Sequence, residues 1–348
     1  MKRLLRRIQP VRNVEIGELQ DTFLVSAVAM ILVIRLQLWA TNYPQLGGGK
    51  LHIAHLLWGG VFMVVSIGIL LSFLGRSLRT PAAVFGGVGF GFFIDELGKF
   101  ITSDNDYFYK PTAALIYVIF IGLFLATRAM QRRRGFTARE YLVNAMDLAT
   151  DAARRDLDED EKKRALALLD KADPLDPLAA PLRQMLNAFD AIPTPEPPWH
   201  IRRARAVRDW YLGLVRRPRF AKAISWIFVV WALLSLIQIL GLTLDVGEQV
   251  RHLSFINICS LVSSVLAGSF VIAGVLRLRE DDRHSAYRRF DRALLISIFV
   301  TQVFAFVESS FSAVFGLSLD VVLLITLRSM IRGEKHLERQ AEPALAAA

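Results

Sequence analysis

The sequence predicts an all-α polytopic membrane protein with about eight transmembrane helices. Three observations carry that reading. The chain is 53% hydrophobic with a mean hydropathy of +0.39, above what soluble domains of this length show. Its apolar residues gather into runs long enough to cross a bilayer core. Its arginines cluster where those runs end, and they fall on one side when the runs are counted off. The formal net charge of +10 raises nucleic-acid binding as a function. The placement of the basic residues at span ends excludes it, and no nucleic-acid partner is expected. The only cysteine, Cys259, sits in an apolar run and rules out an internal disulfide or a cysteine-built zinc site.

The elements follow in order. Residues 1–21 form a basic, partly amphipathic lead with no small-residue cleavage site after it, so the first apolar run is a retained helix. Spans are expected at 22–39, 51–74, 82–101 and 111–129. Arg76 and Arg79 mark a cytoplasmic turn, and Arg132, Arg133 and Arg134 close the fourth span. Domain boundaries fall at 22–134 for the first four helices and 135–220 for a charged, helical insert. Within the insert, Thr137 with Glu140 and Asp158 with Glu161 have the spacing of capping boxes. Residues 201–219 carry seven arginines beside Trp210, Tyr211 and Leu214, the pattern of a helix lying on anionic lipid headgroups. Four further spans are expected within 221–332, at 221–242, 253–276, 293–310 and 315–327, before a tail at 333–348. Both termini and the insert then lie in the cytoplasm, with the lipid bilayer as the constant partner.

The third span holds the strongest chemical signal. Gly87, Gly91, Asp95 and Lys99 recur every four residues, so a continuous helix puts them on one stripe. The glycines admit a close neighbouring helix, Asp95 and Lys99 neutralise each other, and Glu96 needs a partner elsewhere. Charged groups at membrane depth are costly and mark function by default. Arg35 stands alone in the first span at matching depth, which predicts a contact with Glu96 or Asp95. His52 and His55 open the second span on one helix face, also near the outer surface. With Asp95 and Glu96 they form a candidate divalent-metal site, against the simpler reading of two histidines capping a helix end. In the second half, Asp245, Glu248, His252, Glu308 and Asp320 fall at comparable depth, completing a polar vestibule that opens outward.

The halves also match one another. Gln37 corresponds to Gln238, His52 to His252, Arg76 to Arg277, and Phe92-x-x-x-Glu96 to Phe304-x-x-x-Glu308. This predicts two parallel four-helix repeats related by an axis along the membrane normal.

Residues 51–60, Leu-His-Ile-Ala-His-Leu-Leu-Trp-Gly-Gly, and 93–102, Phe-Ile-Asp-Glu-Leu-Gly-Lys-Phe-Ile-Thr, resemble a group of uncharacterised bacterial multi-pass integral membrane proteins. The resemblance spans the first four helices and implies a bacterial plasma (inner) membrane location, with no particular chemistry attached.

Three functions fit. The first is cation- or proton-linked transport or permeation, with a site drawn from Arg35, His52, His55, Asp95, Glu96, Lys99 and Glu308. The second is a membrane-embedded, metal-dependent hydrolase acting on a lipid-like substrate, its metal held by His52, His55, Asp95 and Glu96. The third is a sensor or scaffold that presents the insert to a partner.

Overall fold

The computed structural model describes residues 10–41, 55–101, 111–132, 135–154, 156–194, 196, 199–215, 226–227, 230, 255–280, 282–309, 311 and 313–345. The described residues are almost entirely helical, and a single bridge between Asp158 and Ile192 is their one β-type pairing. Six helices among them are long and apolar enough to span a membrane: 16–38, 76–95, 111–131, 258–278, 285–308 and 313–331. The expected count of eight is therefore not reached. The second span is a shorter apolar helix, Leu56–Ser72, and the span expected at 221–242 lies almost wholly outside the described residues. The chain divides into two units, one of residues 1–107 and 119–196, the other of 108–118 and 197–348.

The first unit is built around α3 (Arg79–Asp95), which packs between α1 (Ile16–Ala40) and α2 (His55–Ser72). Two glycine stripes make this possible. A Cβ at Gly91 would lie 2.6 Å from the Ala27 carbonyl oxygen, and one at Gly87 would overlap the carbonyl of Phe23, so this stripe seats α3 directly on the backbone of α1. A Cβ at Gly89 would lie 2.7 Å from the Gly59 carbonyl oxygen, so the neighbouring stripe seats α3 on α2. Phe62 of α2 stacks between Phe85 and Phe92, filling the space beside the glycines. A 3₁₀ turn, Arg76–Leu78, leads into α3, and a short α4 (Leu97–Ile101) follows it. The helix α5 (Pro111–Arg132) begins in the second unit and ends in the first.

The insert follows with α6 (Ala138–Ala153), α7 (Glu159–Leu169) and α8 (Ala179–Ala188). Both predicted capping boxes form, Thr137 with Glu140 and Asp158 with Glu161, so the orphan N–H groups of α6 and α7 are satisfied locally. The three helices share a core of Leu142, Leu148, Leu157, Leu169 and Leu186.

In the second unit, α9 (Trp199–Val215) precedes α10 (Phe255–Arg279), α11 (Arg283–Ile296), a π turn (Ser297–Thr301), α12 (Gln302–Ser309) and α13 (Ala313–Leu345). The charged stretch between the expected spans at 253–276 and 293–310 is mostly helix, and Asp282 caps α11 by accepting a hydrogen bond from the Ser285 N–H. Val271, Phe290, Leu294 and Leu327 form its core, with the Phe290 ring lying where a Cβ on Gly274 would go.

Candidate functional site

The α1–α3 seam ends in charge. Gly87, Gly91 and Asp95 follow one another at four-residue steps along α3, opposite Phe23, Ala27 and Arg35 of α1. The stripe that brings the two backbones together therefore delivers a carboxylate to a guanidinium. Arg35 Nε donates to Asp95 Oδ1 at 2.7 Å, and Nη2 donates to the Asp95 backbone carbonyl at 3.2 Å. Asp95 and Glu96 are both fully buried, while Arg35 is only slightly exposed.

The second contact goes with a break in the helix. Glu96 leaves the helical conformation with φ −85° and ψ 6°, and its N–H turns back to the Ile94 carbonyl. The span expected as one helix over 82–101 is thus two, and this corrects the predicted pairing. Asp95 pairs with Arg35 rather than with Lys99. Lys99 instead reaches Glu96, with Nζ 3.6 Å from Oε1, at a spacing of three. The pairs differ in character: Arg35–Asp95 is short and enclosed, whereas Lys99–Glu96 is longer and its lysine side chain is a quarter exposed.

The remaining predicted site residues are placed as follows. His52 lies outside the described residues; His55 opens α2, but its side chain is not described. The metal site and the hydrolase reading depend on those imidazoles. Among the described residues, no group of three or more His, Cys, Asp or Glu side chains is arranged to hold a metal ion. Glu308, near the end of α12, is exposed. Asp245, Glu248 and His252 also lie outside the described residues.

Two polar constellations bring residues named in the sequence, Arg76, Arg79 and Asp320, to partners that the sequence did not indicate. The first is at the other end of α3, about 25 Å away by helix rise. Arg79 makes a two-pronged contact with Asp147 at 2.7 and 2.9 Å. Arg76 pairs with Glu15 and lies 3.6 Å from Asp147 and 3.8 Å from Asp151. The arginines of the turn therefore fasten α6 of the insert to the membrane helices. Residues 12–14 complete the clamp: Arg12 donates to both oxygens of Glu140, and Asn144 bridges the Val14 N–H and the Arg12 carbonyl. The Arg12 hydrogen bonds hold the Glu140 carboxyl well below the usual carboxylate range, and the Thr137 N–H adds to the effect. Asp151 goes the other way. Burial raises its carboxyl more than Arg76 and Arg154 lower it.

The second is in the other unit, where Asp320 of α13 is buried beside the π turn. Ser297 Oγ donates to its Oδ2 at 2.6 Å and Gln302 Nε2 to the same oxygen at 3.2 Å.

No protein-family model, curated protein or solved structure matches the chain. Six apolar helices of membrane-spanning length make it an integral, multi-pass membrane protein. Its chemistry has to be read from these side chains.

Proposed function

We propose that the protein carries out cation- or proton-linked transport or permeation through a polar vestibule that opens outward at the Asp95–Lys99 end of the bundle. The observation that carries the reading is the interrupted membrane helix with two buried carboxylates at the break. The carboxyl end of a broken helix presents backbone carbonyls and negative dipole density, a device that transporters use to hold small cations. The two pairs divide the work. Arg35 cannot release its proton and keeps Asp95 in place as a fixed carboxylate. Glu96 is the exchangeable group, because the lysine that reaches it, Lys99, is a long, partly exposed side chain that can move aside as a proton or a cation binds.

The resemblance of residues 51–60 and 93–102 supports a bacterial inner-membrane location, and the arginine distribution supports an orientation with the insert and both termini cytoplasmic. The exposed Trp199, Val207 and Trp210 of α9, interleaved with Arg202, Arg203 and Arg205, support contact with anionic lipid headgroups over 201–219. A cysteine at Asp176 should resist an impermeant thiol reagent in intact cells, and one at Ser103 should label. The reverse pattern would turn the vestibule to the cytoplasm.

A scaffold role is the second reading, favoured by the insert's own core and by its fastening through Arg76 and Arg79. Flux separates the two. Purified protein in liposomes should dissipate an imposed proton or monovalent-cation gradient. Liposomes that remain as tight as empty ones under every gradient would leave the scaffold reading standing.

A further inference from the structure

We propose that Asp320 is a second, separate proton-binding site, a buried carboxyl that exchanges its proton with water while Ser297 and Gln302 adapt to either state. This goes beyond the transport reading, which rests on Glu96 in the other unit. A titrating Asp320 is compatible with a protein that carries no flux.

The side chain lies within the span at 313–331 and is 2% exposed. Among the described residues no cation pairs with it, and its two hydrogen bonds come from a neutral hydroxyl and a neutral amide. A carboxylate compensated only by neutral dipoles in a membrane helix is poised to take up a proton. The elements around it supply little charge. Among the described residues, Tyr117, on the 108–118 segment, is a titratable group close enough to feel its charge. Its hydroxyl donates to the Ile298 carbonyl at 2.5 Å. On α13 itself the next charged group is Arg328, two turns on and paired with Asp291 of α11 at 2.9 Å. Glu308 of α12 is exposed. On α9, Tyr211 bonds Thr326.

The neighbours are built to serve both protonation states. Gln302 is buried, and while its Nε2 donates to Asp320, its Oε1 is enclosed without a partner. Turning the amide over presents that oxygen to a protonated carboxyl, which can then donate to it. Ser297 can donate to the carboxylate or accept from the acid. Gly316 leaves room for the amide, since a Cβ there would stand 3.1 Å from Gln302 Nε2. Ser297 opens the π turn and Gln302 closes it, and such turns are frequent at functional sites. The step balances simply. One proton arrives from water, forms one O–H bond on the Asp320 carboxylate, and leaves by the same route.

The test is infrared difference spectroscopy of the purified full-length protein across a pH series. The expected result is a protonated-carboxyl stretch that grows as pH falls, is absent in Asp320→Asn, and changes its pH midpoint in Ser297→Ala. Every titrating band surviving in Asp320→Asn would overturn the proposal. So would an Asp320 band that appears at fixed pH only when sodium or potassium is withdrawn, which would make the site a metal-cation site. If Asp320→Asn does not fold, Ser297→Ala decides alone, because it keeps the carboxyl: an unmoved midpoint overturns the proposal.

Discussion

Replacing Arg35 by methionine removes the guanidinium and keeps much of the side chain's length. What remains is an aspartate with 0% side-chain exposure at the end of a membrane helix, and a backbone carbonyl that has lost its 3.2 Å donor. Breaking a buried pair from one side costs about 3–5 kcal/mol, most of it the desolvated charge left behind. Arg35 keeps 15% side-chain exposure, and Asp95 has further contacts around it, so the lower end, about 3 kcal/mol, is the expected loss. Asp95→Asn keeps the shape and takes away the negative charge that faces the arginine Nε. The double variant removes both charges and should recover part of the loss, with a coupling energy of about 1–3 kcal/mol. Reversible unfolding of the four proteins in mixed micelles, followed by circular dichroism, gives the cycle. Additivity within about 0.5 kcal/mol would mean that the two side chains do not act as a pair, and the argument from the glycine seam to the charged site would fail.

Two further outcomes follow from the same geometry. Gly91→Ala places a methyl group against the Ala27 carbonyl, which cannot rotate away. It should cost about 1–3 kcal/mol, whereas the same change at Gly68, which faces open space, should cost less than 1 kcal/mol. Glu140, held below its ordinary value of 4.5 by Arg12, stabilises the folded state above that pH, and the contribution fades as pH falls below it toward the folded value. Melting temperature should therefore drop on acidification below about pH 4.5 in the wild type, and less steeply in Glu140→Gln, which is already weaker at neutral pH.

The membrane class was legible because hydropathy and arginine placement are summed over whole spans, and both capping boxes were legible because they are local. The link between Arg35 and the third span was also legible, since a lone guanidinium in an apolar run demands a partner. The exact pairing was not. Regular helical spacing joins Asp95 to Lys99, and nothing in the local sequence announces that the chain turns at Glu96, with Arg35 holding the Asp95 carbonyl. Arg76 and Arg79 illustrate the opposite problem. Their position at a span end explained them fully, so their pairing with Asp147, nearly seventy residues away, left no trace in the pattern. Asp320 was read as one of several acids at a common depth. Its enclosure depends on the π turn, and an extra residue in a helical turn has no signature in hydrophobic periodicity.

The central claim is that Glu96 is the exchangeable carboxylate. Flux through liposomes carrying Glu96→Gln, set beside wild type at equal incorporation, tests it most directly. Glutamine keeps the size and hydrogen-bonding reach of the side chain but can neither release a proton nor balance a cation. The account predicts that proton or cation flux falls at least tenfold, equivalent to about 1.4 kcal/mol or more in the governing barrier. Flux equal to wild type in a folded Glu96→Gln protein would contradict it.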